Sequence, residues 1–236
     1  MYAKFRPDYP QEIFDFILSK ADKRDVAWDC ATGNGQAAKE LANHFKKVFA
    51  TDISQKQLDN AEKKENIIYS LQPAEKTNFQ DNTFDLITVS QALHWFDFEK
   101  FYAEVKRVAK NKAWISAWVY PTLTISPEID ELVLEKHYKA LLGSYWDHER
   151  KYVDANYTTI PFPFSETETP VFQMKLHWDI EQLAGYLNSW SGLQKFIQAK
   201  NFNPVEELTE NIKRFWKSEK MEIIFPIYMR MGQIEK

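Results

Sequence analysis

The fold is decided by the stretch Val26-Ala27-Trp28-Asp29-Cys30-Ala31-Thr32-Gly33-Asn34-Gly35-Gln36, together with Ala50-Thr51-Asp52-Ile53-Ser54. An apolar segment runs into an acidic residue, a glycine turn follows, and a second apolar segment ends at Asp52, 19 residues after Gly33. This order is typical of a βαβ unit that binds a nucleoside at the carboxyl ends of its strands. Gly33 and Gly35 allow the backbone to pass close to a ligand, and Asp52 can accept hydrogen bonds from both ribose hydroxyls.

Two nucleoside cofactors are compatible with these glycines. Gly33-x-Gly35-x-x-Ala38 also fits a permissive dinucleotide fingerprint, with an acidic residue at the usual spacing of about 20. Asp29 distinguishes between the two cofactors, because a fixed anion at this position would repel the pyrophosphate of a dinucleotide. The ammonium and sulfonium groups of S-adenosyl-L-methionine are instead attracted by a carboxylate. The sequence therefore favours S-adenosyl-L-methionine, with an NAD-dependent oxidoreductase as the alternative.

Composition limits the partners that we expect. The chain has 236 residues, a net charge of -4 and a single cysteine, Cys30. This charge provides no general attraction for nucleic acid or for a membrane surface, and one cysteine excludes an internal disulfide framework. The first 20 residues lack a signal-peptide pattern, so a cytoplasmic location is expected. We expect a small-molecule acceptor and no metal, and the oligomeric state stays open.

Alternating strand and helix patterns predict an α/β fold. We expect a Rossmann-like, seven-stranded, mostly parallel sheet with helices on both faces and a helical lid among the late strands. A single domain over 1-236 would divide into a cofactor-binding core (1-120), a lid or substrate-side insertion (121-220) and a final strand (221-236). The predicted strands lie near 26-30, 47-51, 67-71, 84-89 and 113-120, within 170-178 and within 221-231. The predicted helices follow Pro10 and lie near 36-45, 54-64, 98-110, 126-142, 179-188, 190-199 and 204-217.

The chain resembles class I S-adenosyl-L-methionine-dependent methyltransferases of the type-11 group, and is similar to the branch with trans-aconitate and cantharidin-type carboxylate methyltransferases. The resemblance covers nearly the whole length. Ala31 stands where the family usually has its first glycine, and Asn111-Lys112 where it commonly has Pro-Gly-Gly. The matching motifs are Tyr2-x-x-x-Arg6-Pro7-x-Tyr9-Pro10, Asp29 to Gln36, Asp52-x-Ser54, Pro73-Ala74-Glu75, Ser90-Gln91-Ala92-Leu93-His94-Trp95-Phe96, Tyr145-Trp146-Asp147 with Arg150, Pro161-Phe162-Pro163-Phe164, and Ser189-Trp190-Ser191.

The resemblance also implies a set of cofactor-binding residues. Asp52 would hold the ribose, and Glu75 would either meet the adenine edge or cap a turn. Arg6 would either approach the cofactor carboxylate or form a surface ion pair. The full implied set is Arg6, Tyr9, Asp29, Ala31, Gly33, Gly35, Asp52, Ile53, Leu58, Ala74, Glu75, Ser90 and Gln91.

Methyl transfer makes modest chemical demands on the protein. An in-line displacement needs chiefly an aligned nucleophile. A carboxylate acceptor is already ionised at neutral pH, whereas a hydroxyl needs a general base. His94 is the candidate base because it follows the fourth predicted strand, although it could equally bond to backbone.

Aromatic residues in the second half of the chain are candidates for the acceptor pocket, with the protein core as the plainer alternative. An acidic acceptor would also need a cation, for which Arg6, Arg150 and Arg230 are candidates. For Arg150 an ion pair with Asp147 or Glu149 is the favoured alternative. A protein that binds the cofactor without catalysis stays open as a different class of function. The expected acceptor-binding residues are Trp95, Trp118, Tyr145, Trp146 and Trp190.

Overall fold

The computed structural model describes residues 8-236, which divide into two compact units. The core unit contains Tyr9–Tyr120, Tyr152–Phe172 and Ile227–Lys236. The second unit contains Pro121–Lys151 and Gln173–Pro226. The segment Tyr152–Phe172 therefore belongs with the core unit, although it lies inside the predicted insertion.

Strands and helices mostly alternate along the first part of the chain, as the sequence predicts, and β3 is followed by β4 without a helix between them. A 3-10 turn at Leu93–Trp95 follows the fourth strand. The elements of this part are α1 (Gln11–Lys20), β1 (Val26–Cys30), α2 (Gln36–Leu41), β2 (Lys47–Asp52), α3 (Gln55–Asp59), β3 (Ile67–Leu71), β4 (Phe84–Ser90), α4 (Phe98–Val108) and β5 (Ala109–Val119).

The later part of the chain is mainly helical, with three strands. A π-helix covers Glu131–Leu141, and a 3-10 turn covers Gly143–Tyr145. The other elements are α5 (Pro127–Asp130), α6 (Arg150–Asp154), β6 (Ser165–Thr167), β7 (Phe172–Trp178), α7 (Ile180–Asn188), α8 (Ser191–Lys200), α9 (Val205–Lys213) and β8 (Met221–Gln233).

Within residues 8-236 the sheet has eight strands, so the prediction of seven was wrong. Its order is β3-β2-β1-β4-β5-β8-β6, with β7 paired to β8. Strands β1 to β5 pair in parallel, whereas β8 runs antiparallel to β5. The additional strand is β6, whose three residues are too few to give the alternating pattern by which strands are recognised.

The parallel strands place the predicted site residues at one edge of the sheet. β1 lies between β2 and β4, with Ala27 in register with Val48 and Leu86. Every residue of β4 except Ser90 is buried, which agrees with its mainly apolar and β-branched sequence, and the buried Asp85 carboxylate pairs with Lys110 at 2.8 Å. The carboxyl ends of β1, β2 and β4 are Cys30, Asp52 and Ser90, so the loops that follow them meet at this edge.

The predicted helix over 126-142 is only partly an α-helix. Four residues are α-helical, and the chain then continues as a π-helix, in which Leu142 N donates to His137 O at 3.0 Å. The periodicity of the apolar residues does not distinguish these two helices over so short a segment. No helix within residues 8-236 combines the length and the apolar character that crossing a membrane would need.

Candidate functional site

Asp52 ties the end of β2 to the glycine turn after β1. Its Oδ2 accepts a hydrogen bond from Gly33 N at 2.9 Å, and its Oδ1 accepts one from Ser54 N at 2.8 Å. Thr32 N also donates to Thr51 O at 2.8 Å. A carboxylate oxygen can accept more than one hydrogen bond, so the fixed Asp52 side chain keeps the capacity to bind a vicinal diol.

Glycine occupies the two positions of the turn for different structural reasons. Both adopt left-handed backbone, with φ of +57° at Gly33 and +84° at Gly35. A Cβ atom at Gly33 would have no heavy atom within 4 Å, so this position faces open space. A Cβ atom at Gly35 would lie 2.4 Å from Tyr69 Oη, so this position has no room for a side chain. Ala31 is also left-handed, with φ of +52°, which explains why the family usually has glycine there.

Asp29 is completely buried beneath the turn. Its Oδ1 accepts a hydrogen bond from Thr88 Oγ1 at 2.8 Å, and its Oδ2 accepts one from Thr32 Oγ1. Burial raises the pKa of the Asp29 carboxyl to about 6, against the opposing effect of these hydrogen bonds. The structure therefore gives Asp29 a role in holding the turn, whereas a direct contact with the cofactor stays a prediction.

The predicted adenine-binding residues differ in exposure. Ile53 follows Asp52 and is 78% exposed, which leaves its side chain available to a ligand. Leu58 and Ala74 are buried. Glu75 Oε1 accepts a hydrogen bond from Asp97 N at 3.2 Å, so Glu75 supports the start of α4. This contact agrees with the turn-capping alternative for Glu75, and an approach of Glu75 to a nucleobase stays a prediction.

The loop after β4 is fixed by Gln91, which has left-handed backbone with φ of +56°. Gln91 N donates to Trp118 O at 2.9 Å, and its side chain bonds to both backbone groups of Tyr120. Ser90 is paired in register with Trp118. Trp118 is itself fully buried and packs edge-on against Tyr9, with ring centroids 5.4 Å apart. Arg6 lies outside the described residues.

His94 is buried in the 3-10 turn that follows this loop. Its Nδ1 lies 2.8 Å from Tyr157 Oη, and its ring lies 4.9 Å from that of Trp95. Trp95 is 55% exposed, so of these two side chains it is the one open to a solute. Sequence reasoning missed Tyr157 because it is 63 residues away and carries no motif.

The second unit contains an aromatic cluster of Tyr138, Trp146 and Trp190. The ring centroid of Trp146 lies 4.6 Å from that of Tyr138 and 5.7 Å from that of Trp190. The Arg150 guanidinium lies over Tyr138 and Trp146, at 5.2 and 5.1 Å from the ring centroids. Gly192 makes the cluster possible, because a Cβ atom there would lie 2.8 Å from the Trp146 ring. Two expected acceptor-binding residues, Trp146 and Trp190, therefore belong to this cluster. A third, Tyr145, precedes Trp146 in the chain.

The sequence favours an ion pair of Arg150 with Asp147 or Glu149. The structure gives Asp147 a different partner. Asp147 pairs instead with Lys195 at 2.5 Å. Arg150 Nε donates to Tyr138 Oη at 2.5 Å, and Nη2 donates to Pro121 O. Arg230 donates to both carboxylate oxygens of Glu166 through Nε and Nη2, so these two groups are engaged within the protein.

The residues at the sheet edge fit the nucleoside part of S-adenosyl-L-methionine. Gly33 leaves open space where a side chain would stand, Asp52 can accept hydrogen bonds from a ribose, and Ile53 exposes an apolar surface beside it. These features suit a flat base joined to a diol.

Comparisons with known proteins agree with this geometry. A family model described as a methyltransferase domain matches residues 28–117. A Dictyostelium discoideum protein described as a candidate methyltransferase is 38% identical over 99% of this chain and 92% of its own length. A methyltransferase-like protein of Schizosaccharomyces pombe is 24% identical over 95% of this chain and 89% of its own length. The solved structure of a candidate type II methyltransferase from Anaeromyxobacter dehalogenans is 33% identical, with a TM-score of 0.90 over 98% of both chains.

Proposed function

The chain belongs to the S-adenosyl-L-methionine-dependent methyltransferases of the type-11 group, and on this premise we propose that it methylates an oxygen atom of a small organic acceptor. The glycines are compatible with either S-adenosyl-L-methionine or NAD, and membership of this family identifies S-adenosyl-L-methionine as the cofactor. It also identifies the chain as an enzyme rather than a binding module. The trans-aconitate and cantharidin-type branch, a cytoplasmic location and the absence of nucleic-acid and membrane partners belong to the proposal.

The cofactor-binding roles rest mainly on the turn between β1 and α2. Asp52 would accept the ribose hydroxyls, and Gly33 would leave space for the methionine part of the cofactor. When bound, S-adenosyl-L-methionine supplies a methyl group on a positively charged sulfur. The protein's own contribution is to hold this group and the acceptor oxygen in line, because alignment accounts for much of the rate enhancement in such a displacement.

We propose a carboxylate as the acceptor group. A carboxylate is ionised at neutral pH and attacks without a general base. The observation that carries this proposal is the Arg150 guanidinium on the faces of Tyr138 and Trp146, which places a fixed positive charge among the expected acceptor-binding residues. Aromatic faces that orient a guanidinium also restrict the direction in which it meets an anion.

A hydroxyl acceptor is the second candidate, and His94 is the observation that favours it. As a general base, His94 would take the hydroxyl proton while the oxygen forms its bond to the methyl carbon. The carbon-sulfur bond would break at the same time, with the electron pair remaining on sulfur. The 2.8 Å contact between His94 Nδ1 and Tyr157 Oη orients the imidazole ring.

The test begins with calorimetric titration of S-adenosyl-L-methionine, S-adenosylhomocysteine and NAD, followed by an acceptor screen led by polycarboxylic acids. Methyl esters release methanol in mild alkali, whereas methyl ethers and methylamines do not. We expect the first two ligands to bind and the product to be a methyl ester. A methyl ether as the sole product would overturn the carboxylate proposal in favour of the hydroxyl candidate.

A matched pair of variants tests the expected acceptor contact of Trp95. Trp95→Ala should lower kcat/KM for the acceptor about tenfold, because it removes a large exposed aromatic face. Phe202→Ala is the control, since Phe202 is a comparably exposed aromatic residue at 52% and is not an expected contact. Equal kinetics for both variants would remove Trp95 from the proposed acceptor site.

A further inference from the structure

Tyr69 on β3 lies in register with the strand that leads into the glycine turn. It pairs with Ala50 of β2, and Ala50 pairs in turn with Asp29 of β1. Because neighbours in register on parallel strands point to the same side of a sheet, these three side chains share one face. Ala50 is buried and carries only a methyl group, so it leaves room for the tyrosine ring to extend over β2 toward the turn.

The Tyr69 hydroxyl occupies the space of the side chain that Gly35 lacks. A Cβ atom at Gly35 would lie 2.4 Å from Tyr69 Oη, and 3.2 and 3.3 Å from Cζ and Cε1 of the ring. Cβ atoms in proteins essentially never come within 3.0 Å of another heavy atom in such contacts. The phenol therefore packs directly against the backbone of the turn, at a residue whose φ of +84° glycine adopts readily.

The position of the phenol is fixed by the segment that connects α3 to β3. Tyr69 Oη donates a hydrogen bond to Glu62 O at 2.7 Å. Asn66, later in the same segment, donates through Nδ2 to Ala42 O at 2.7 Å and to Phe45 O at 3.0 Å. Both of these carbonyl groups lie just after α2. The segment therefore ties Tyr69 to the helix that follows the glycine turn.

The glycine turn is thus held at both of its glycines. Asp52 accepts a hydrogen bond from Gly33 N at 2.9 Å, and Tyr69 packs against Gly35. We propose that Tyr69 is a positioning residue, which holds Gly35 in place and so sets the path of the turn beside the methionine part of the cofactor. The inference rests on the proposed function for that placement. Tyr69 acts through the backbone of the turn, whereas Asp52 binds the ribose.

A comparison of two ligands tests this role. S-adenosylhomocysteine and methylthioadenosine share adenosine and a thioether, but only the first carries the amino-acid group. We expect Tyr69→Phe to weaken binding of S-adenosylhomocysteine about tenfold in titration calorimetry, the effect of losing roughly one hydrogen bond. Binding of methylthioadenosine should weaken by less than about twofold, because this ligand lacks the part that lies beside the turn. Unchanged affinity for S-adenosylhomocysteine, or an equal loss for both ligands, would overturn the proposal.

Tyr102→Phe is the matched control for the loss of a phenol hydroxyl. Tyr102 also belongs to the core unit, and its buried hydroxyl has no hydrogen-bond partner within residues 8-236. The affinities of this control for both ligands should equal those of the wild type. A selective loss of S-adenosylhomocysteine binding in Tyr102→Phe would show that the comparison responds to remote changes, and would overturn the assignment of the effect to Tyr69.

A double-mutant cycle tests the contact of Tyr69 with Gly35 without any ligand. Gly35→Ala should lower the urea midpoint, and should lower it less in the Tyr69→Phe background, because the nearest ring atoms that remain lie at 3.2 and 3.3 Å. Gly33→Ala is the control, since a Cβ atom at Gly33 meets nothing within 4 Å, and its shift should be the same in both backgrounds. Equal shifts of Gly35→Ala in the two backgrounds would overturn the contact.

These measurements distinguish a failure of the inference from a failure of the proposed function, because none of them needs a methyl acceptor. A wild-type chain that binds neither ligand would contradict the cofactor site itself, and with it the positioning role. Wild-type binding that Tyr69→Phe leaves unaltered would overturn the positioning role alone. If Tyr69→Phe does not fold, Gly35→Ala gives the same comparison of ligands, because the predicted clash displaces the turn. An equal loss for both ligands in Gly35→Ala would then overturn the proposal.

Discussion

The 2.9 Å hydrogen bond from Gly33 N to Asp52 Oδ2 joins the glycine turn to the end of the neighbouring strand. Asp52 is therefore both a structural contact of the turn and the expected ribose ligand. We expect Asp52→Ala to weaken binding of S-adenosyl-L-methionine about 10- to 100-fold, which corresponds to the loss of charge-assisted hydrogen bonds. Titration calorimetry measures this, with the exposed Asp59→Ala as control. Unchanged affinity in Asp52→Ala would place the cofactor elsewhere.

Gly35 is the position of the turn at which a side chain meets the protein itself. A Cβ atom there would lie 2.4 Å from Tyr69 Oη, on left-handed backbone. We expect Gly35→Ala to lower the free energy of unfolding by about 1 to 3 kcal/mol. Gly143→Ala is the control, because a Cβ atom at Gly143 meets nothing within 4 Å. Equal urea midpoints for the two variants would contradict the predicted clash.

His137 is a buried histidine whose Nε2 has no hydrogen-bond partner within residues 8-236. Burial lowers its pKa to about 4 in the folded state, whereas the unfolded chain binds the proton near pH 6.5. Stability should therefore fall as the pH decreases from 6.5 to 4, by up to about 3 kcal/mol. His137→Phe should reduce this dependence in urea denaturation at pH 4.5 and 7. The exposed His177→Phe should retain it, and an equal dependence in all three proteins would contradict the burial effect.

Much of the core unit could be predicted from its sequence because its signals are local. Buried parallel strands are rich in apolar and β-branched residues, as in β4, and an acidic residue followed by a glycine turn is a short, contiguous pattern. That pattern predicts that Gly33 and Asp52 lie at the same edge of the sheet, whereas their direct hydrogen bond is seen only in the structure. By contrast, β6 has three residues and depends on its partner strand for its conformation.

The contacts around His94 and Asp29 could not be predicted, because they join residues far apart in the chain. Tyr157 is 63 residues from His94, and Thr88 is 59 residues from Asp29. Neither partner has a distinctive neighbourhood in the sequence. The sequence predicts that Asp29 binds the cofactor, and this stays a prediction. Its complete burial depends on how the turn folds over it, which the spacing of the glycines does not determine.

Asp29 should make stability depend on pH in the opposite sense to His137. Burial raises the folded-state pKa of Asp29 to about 6, so the folded chain holds a proton that the unfolded chain releases near pH 3.9. Its contribution to stability is therefore fully present below about pH 4 and is lost as the pH rises to 6. Asp29→Asn, which cannot ionise, should be less destabilising at pH 7 than at pH 4.5, by about 2 kcal/mol in urea denaturation. The exposed Asp59→Asn should change the free energy of unfolding by similar amounts at pH 4.5 and pH 7. If Asp29→Asn behaved in the same way, the hydrogen bonds from Thr32 and Thr88 would offset the effect of burial on the pKa of Asp29.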